Sequence, residues 1–185
     1  KKNSLKQQAH IVWLDESGLL LLPLVRRTYA PCGCTPVLRP RAKYRQKVSL
    51  IAALTISPRR GRFGLYSQTF PDQWVNNVRA VEFVRYLLRH LRGRVILIWD
   101  GGNMHKGDPV PALLRRFPRL TIEPMPPYAP ELNPVEQLWA HLKHNELSNF
   151  TPHDLNQLTA AAEDVLQHTT HNYPRLKSFY RASAL

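Results

Sequence analysis

Three carboxylates stand out in this sequence because of where they fall in its apolar pattern. Asp15 ends the short apolar run 10–14, Asp100 ends the apolar run 94–99, and Glu136 lies where a helix is expected to begin. The carboxyl ends of neighbouring parallel strands meet at one edge of an open α/β sheet, so the two aspartates would converge there if their strands are parallel. A helix that starts at the same edge would bring in the third carboxylate. Oxygen ligands of this kind suit hard divalent cations, and two such ions about 4 Å apart can activate water and stabilise a leaving oxygen in phosphoryl transfer.

Each carboxylate also has a purely structural interpretation. Asp15 could stabilise a turn over residues 15–18, and Asp100 followed by glycine is a common turn dipeptide. Glu136 is expected at the third position of a helix that Asn133 caps and Pro134 begins, which is the pattern of a capping box. The residues alone therefore leave open both a metal site and three local stabilising roles.

The elements that must position these residues follow from the apolar periodicity. Runs that predict strands lie at 10–14, 48–56, 62–70, 94–99 and 119–123, and the second and third read as a hairpin. Helical spacing is found over 78–91, 110–117, 135–142 and 155–166, and Thr151 and Pro152 are expected to cap and begin the last of these helices. Strands come first, strands and helices then alternate, and helices end the chain. This order predicts an α/β domain with a mixed sheet.

Composition points to a polyanionic partner. The 185 residues suit one domain, and 26 Lys and Arg against 13 Asp and Glu give a formal net charge of +13. A row of cations at every second position would share one face if that segment is extended, and could bind phosphates: Arg39, Arg41, Lys43, Arg45 and Lys47. A solvated loop is the alternative interpretation of this row. Two cysteines one residue apart argue against a disulfide-stabilised secreted fold and favour a reducing cytosol, and no uncharged run is long enough to span a bilayer.

Three segments in order resemble the acidic motifs of the DDE transposases. They are WLDESG at 13–18, ILIWDGGNMH at 96–105 and PPYAPELNPVEQLW at 126–139. The match is closest to the mariner superfamily and its bacterial insertion-sequence branch. The last motif is the most specific, since a proline-rich loop is followed by Leu-Asn-Pro, an acidic residue and a tryptophan. The 35 residues between Asp100 and Glu136 are close to the spacing usual in that family.

The resemblance implies an RNase H-like fold, a mixed central sheet flanked by helices, and Mg²⁺-dependent cleavage and joining of DNA strands. It assigns Asp15, Asp100 and Glu136 as catalytic metal ligands for two Mg²⁺ ions per site, for which Mn²⁺ can substitute. Supporting roles follow for His105, Asn133 and Glu131. Gly101 departs from the pattern, because many relatives have asparagine there.

The same resemblance implies partners and a setting. The partners are transposon inverted-repeat ends and target DNA, with TA as the target dinucleotide, bound by a homodimer without a membrane. The setting is the bacterial cytoplasm, at the nucleoid. Residues 1–185 are expected to form one catalytic domain, with a tail at 1–9, C-terminal helices at 151–185 and no upstream helix-turn-helix region. Two alternatives stay open: an RNase H-like nuclease that cuts without joining, and a catalytically dead remnant that binds DNA without needing a metal.

Overall fold

A computed structural model describes residues 8–39, 46–59, 61–99, 109–126 and 129–183. The described residues form five strands: β1 (His10–Leu20), β2 (Lys47–Ile56), β3 (Phe63–Pro71), β4 (Val95–Trp99) and β5 (Leu120–Pro124). The same part of the chain forms five α-helices: α1 (Asn77–His90), α2 (Pro109–Arg116), α3 (Pro134–Ala140), α4 (Leu155–His171) and α5 (Tyr173–Ala182). A 3₁₀ turn (Pro130–Leu132) precedes α3, and a π-helical segment (His141–Glu146) continues it.

The sheet is mixed, as the order of elements predicts. Its strand order is β3-β2-β1-β4-β5. The strands β1, β2 and β3 form an antiparallel meander, whereas β4 runs parallel to both β1 and β5. The hairpin predicted between the second and third apolar runs is therefore confirmed. The strands β1 and β4 are parallel, which meets the condition under which the two aspartates would converge.

Helices cover both faces of the sheet because side chains alternate between the faces along each strand. Val12 and Leu14 of β1 pack into a core with α1 and α2. Trp13 and Leu19 of the same strand pack into a second core with α3, α4 and α5. Odd-numbered residues of β1 therefore point toward the C-terminal helices, and this decides which helix Asp15 faces.

Two boundaries differ from the sequence prediction. The first strand does not end at Asp15 but continues to Leu20, because β2 is long enough to pair with it from Ile11 to Leu20. A turn over residues 15–18 is therefore wrong. The helix α4 is capped by Asp154, whose carboxylate accepts a hydrogen bond from the backbone N–H of Gln157 at 2.8 Å, rather than by Thr151. An aspartate closer to the first helical turn satisfies that N–H directly. Within the described residues, no helix is both long and apolar enough to cross a membrane.

Candidate active site

Asp15 lies in the middle of the central strand, beside the point where β4 ends. Leu14 is paired with Trp99, and β1 has no partner on that side beyond this pair in the described part of the chain. Trp99 is the last described residue of β4, and Asp100, which follows it in the sequence, lies outside the described residues. Leu14 and Trp99 are therefore the last matched pair of β1 and β4. Asp15 follows Leu14 in the sequence, and Asp100 follows Trp99.

The helix α3 contacts Asp15 directly. The indole N–H (Nε1) of Trp139 donates a hydrogen bond to Oδ2 of Asp15 at 3.0 Å, and both side chains are buried. Glu136 precedes Trp139 by three residues, so it lies one turn earlier on the same side of the helix. Glu136 itself is exposed to solvent. One buried and one accessible carboxylate are thus brought to the same place from a strand and a helix.

Asn133 fixes where α3 begins. Its side-chain Oδ1 accepts a hydrogen bond from the backbone N–H of Val135 at 3.1 Å, and Pro134 occupies the first helical position. The backbone N–H of Asn133 donates to the carbonyl oxygen of Pro130 at 2.9 Å, so the reciprocal bond from Glu136 that completes a capping box is not formed. The interpretation of Glu136 as part of a capping box is therefore wrong, because its side chain does not bond to the backbone of Asn133. The carboxylate of Glu136 remains available to the candidate site.

Burial and like charge raise the pKa of Asp15. Its pKa is raised from 3.8 to about 7, chiefly because burial disfavours the ionised form, and next because of the negative charge of Glu136. The hydrogen bond from Trp139 acts in the opposite direction. The side chain is only 9% exposed. A carboxylate held in this way needs either a proton or a cation beside it, and its hard oxygen donors suit a divalent cation.

Lys143 belongs to the site and was not identified from the sequence. It lies on the π-helical segment, half-buried, and its ammonium group interacts with the carboxylates of both Glu136 and Asp15. Burial lowers the pKa of Lys143, while those two carboxylates oppose the shift. The sequence did contain a signal, because Lys143 follows Glu136 by seven residues, which is two helical turns and the same side of a helix. Single π-helical turns are also frequent at functional sites.

The structure describes only some of the other predicted site residues. Glu131 is exposed on the 3₁₀ turn, Asn133 is buried as a helix cap, and Arg39 is exposed in the segment between β1 and β2. Lys47 begins β2 and is half-buried. Four predicted site residues other than Asp100 lie outside the described residues: His105, Arg41, Lys43 and Arg45. Among the residues that the structure describes, no three His, Cys, Asp or Glu side chains form a metal-binding group, so a three-carboxylate site requires a residue beyond them.

The sheet and its central carboxylate define the class of this domain. A mixed five-stranded sheet of this order, flanked by helices, is the RNase H-like arrangement of transposase and integrase catalytic domains. A family model for DDE superfamily endonucleases matches residues 10–159. The chain therefore belongs to the DDE superfamily endonucleases. No curated protein matches the sequence significantly.

Solved structures share the fold at low sequence identity. A Mos1 transposase paired-end complex with the left transposon end superposes with a TM-score of 0.62 at 20% identity, covering 98% of this chain and 57% of that one. The catalytic domain of Mos1 mariner transposase gives a TM-score of 0.56 at 16% identity, with 98% and 85% coverage. A simian T-cell lymphotropic virus intasome in complex with a PP2A regulatory subunit gives 0.52 at 12% identity, with 89% and 49% coverage. Other Mos1 paired-end complexes contain Mn or Mg. The chain thus corresponds to little more than half of the full Mos1 chain.

Proposed function

We propose that this domain is the catalytic domain of a transposase that cleaves DNA strands at transposon ends and joins them to target DNA. The observation that carries the proposal is the convergence of Asp15 and Glu136, linked through Trp139, at the end of the parallel strand that leads to Asp100. Family membership supports the reaction class, since endonucleases of this family act on phosphodiesters.

Asp15, Asp100 and Glu136 would hold two Mg²⁺ ions, for which Mn²⁺ can substitute. The bound cations would supply Lewis acidity and charge neutralisation at the scissile phosphate. The donor set fits, because like-charged carboxylates gathered around a buried aspartate are disfavoured unless a cation or a proton neutralises them. His105 and Glu131 keep the supporting roles that the sequence motifs imply, and the mariner resemblance favours the bacterial insertion-sequence branch.

Other residues of the chain position these ligands and the DNA. Trp139 orients the Asp15 carboxylate through its indole N–H and fills the space beneath it. Asn133 fixes the first turn of α3 and with it the direction of Glu136. Lys143, whose charge interacts with both carboxylates, would bind a phosphate oxygen of a DNA strand that crosses the site.

The partners proposed for the whole protein follow the same resemblance. They are inverted-repeat ends and a TA target, bound by a homodimer on DNA in the bacterial nucleoid. Arg39, Arg41, Lys43, Arg45 and Lys47 would bind phosphates near the site, in keeping with the net charge of +13. We also propose that residues 1–185 act as one catalytic unit.

Anomalous diffraction from a crystal soaked in Mn²⁺ tests the metal site without requiring turnover. We expect manganese density at the carboxylate of Asp15 in the wild type and its loss in Asp15→Asn. Glu123→Gln, which changes an exposed carboxylate on β5, is the matched control and should keep the density. Manganese bound elsewhere in the wild type, with nothing at Asp15, would refute the site.

A strand-transfer assay separates the proposal from its alternatives. A short duplex with a free 3′-hydroxyl is incubated with supercoiled plasmid and Mn²⁺, and joined products are scored on a gel. Joining that depends on Asp15 and Glu136 supports a transposase, whereas nicking without joining indicates a nuclease. Metal-independent DNA binding without either reaction indicates a dead remnant.

A further inference from the structure

Trp74 is exposed although the loop that carries it is anchored. It lies between β3 and α1 with 75% of its surface accessible, whereas Trp13, Trp99 and Trp139 are buried. A large ring left in water contributes little to folding, so its surface is available to contact a ligand.

Arg79 holds this loop in place. Its guanidinium group donates hydrogen bonds to the backbone carbonyl of Trp74 and to the side chain of Gln73. The same guanidinium lies over the ring of Phe70, at 5.5 Å from the ring centroid. The loop closes against α1 through Asn76, which caps that helix by accepting the backbone N–H of Arg79 at 3.0 Å. The indole is therefore presented in a defined position by a loop whose backbone is fixed.

A cation covers one side of the indole. The ammonium group of Lys47, the first residue of β2, lies over the ring of Trp74. The ring and the cation together offer an aromatic surface and a positive charge within one small patch, which we call the Trp74 platform (Lys47, Trp74 and Arg79). Aromatic rings beside cations are the usual elements with which proteins bind unpaired nucleotides, because the ring stacks on a base while the cation meets a phosphate.

The platform lies beyond Asp15 along the strands and on the opposite face of the sheet from the Asp15 carboxylate. Lys47 is paired with the even-numbered Leu20, whereas odd-numbered residues of β1 point toward the C-terminal helices. Leu20 lies five residues beyond Asp15 along β1, and Val48 is paired with Pro71 at the end of β3. At about 3.3 Å per residue, Lys47 is about 17 Å along the strands from the level of Asp15.

We propose that the Trp74 platform binds an unpaired base of the DNA on which the domain acts. The indole stacks on the base, Lys47 neutralises an adjacent phosphate, and Arg79 positions the loop. The inference rests on the proposed function, since it takes DNA as the ligand, but it assigns a contact that the metal site does not require.

Tryptophan fluorescence reports the contact directly. The protein is titrated in EDTA with a twelve-nucleotide single strand, and both emission and affinity are followed. Because Trp74 is the accessible tryptophan of the four, stacking should quench the solvent-exposed part of the emission. We expect Trp74→Ala to weaken binding by about fivefold to about a hundredfold and Trp74→Phe to retain most of the affinity. The matched control is Tyr173→Ala, which removes another exposed aromatic ring. Tyr173 contacts Phe63 at the opposite end of the sheet.

Salt dependence separates stacking from charge. The slope of log affinity against log salt should be unchanged in Trp74→Ala, whereas Lys47→Ala should reduce it by about 0.7 if one phosphate contact is lost. Equal affinities for wild type and Trp74→Ala, or unquenched emission on binding, would overturn the inference. A change of oligomeric state in Trp74→Ala without a change in DNA binding would also overturn it, because the platform would then contact another protein copy.

Three DNA forms identify the source of the base. The single strand, a fully paired duplex and a duplex with one unpaired nucleotide are compared in the same titration. Quenching by the single strand and by the bulged duplex, but not by the paired duplex, is expected. Quenching by all three would overturn the requirement for an unpaired base. Failure of the platform can be distinguished from failure of the proposed function. If the wild type joins DNA in the presence of Mn²⁺ and Trp74→Ala binds DNA as the wild type does, only the platform is refuted.

Discussion

Replacing Asp15 with asparagine should stabilise the metal-free protein above neutral pH, although it removes a residue assigned to catalysis. The unfolded chain releases the Asp15 proton near pH 3.8, whereas the folded protein releases it at about 7. Between these values the folded state binds a proton that the unfolded state has lost. The free energy of unfolding therefore falls as pH rises from about 4 to about 7 and then levels off. Asparagine cannot ionise, and its side-chain oxygen can still accept the hydrogen bond from Trp139.

The magnitude follows from the two pKa values. At about 1.4 kcal/mol for each pH unit, the full effect of ionising Asp15 in the folded state is about 4 kcal/mol. About 3 kcal/mol of this falls between pH 5 and the folded pKa of about 7. The stability of Asp15→Asn relative to wild type should therefore increase by about 3 kcal/mol from pH 5 to pH 8. Because the stability difference between variant and wild type is compared at two pH values, any packing cost of the amide that does not change with pH cancels.

Urea unfolding followed by circular dichroism in EDTA measures the effect at both pH values. Glu123→Gln on β5 is the control, since it makes the corresponding acid-to-amide change at an exposed side chain. Addition of Mn²⁺ should offset the difference at pH 8, because a ligand at a thousand times its Kd stabilises the folded wild type by about 4.1 kcal/mol and leaves the variant unchanged. If Asp15→Asn differs from wild type by the same amount at pH 5 and pH 8, burial does not hold the carboxyl group in the way we infer.

Two further substitutions test the neighbours of Asp15. Trp139→Phe removes the indole donor that lowers the pKa of Asp15, so Mn²⁺ affinity at pH 7 should fall by about tenfold to about a hundredfold in calorimetric titrations. The control is Trp13→Phe, which changes another buried tryptophan, one that packs edge-on against Tyr180, and should leave the Mn²⁺ affinity unchanged. Lys143→Ala should weaken binding of a short duplex in EDTA and reduce its salt slope by about 0.9, whereas Lys143→Arg should keep both, and an unchanged slope in the alanine variant would argue against a phosphate contact.

Much of the fold could be predicted because its strands carry strong local signals. The continuous apolar run of β2 and the alternating aromatic run of β3 specify a hairpin without help from distant residues. The second half of β1 carries no such signal, since Glu16, Ser17 and Gly18 read as a turn. It becomes a strand because β2 offers it a complete set of backbone partners, which is a tertiary effect.

The candidate site could be predicted as residue types but not as contacts. Motif order identifies Asp15 and Glu136, while the hydrogen bond from Trp139 to Asp15 joins residues 124 positions apart in the sequence. Trp139 reads from the sequence as a packing residue, and it is one, but its single polar atom reaches the carboxylate. Lys143 was missed for a different reason. A lysine on a helix is ordinarily solvated, and only the placement of α3 against β1 brings this one beside two carboxylates.

The extension of β1 beyond Asp15 links the two sites that we propose. If β1 ended at Asp15, the carboxylate would stand at the rim of the sheet and only loops would lie beyond it. Instead β1, β2 and β3 continue past the last described residue of β4. This ledge is about 17 Å long from the level of Asp15 to Lys47. It separates the platform from the metal site by a rigid distance and, because Lys47 is paired with the even-numbered Leu20, places the two on opposite faces of the sheet. An insertion in a loop could not fix that separation, whereas a pair of hydrogen-bonded strands can. The base bound at the platform and the phosphate at Asp15 are therefore expected to belong to different segments of the DNA.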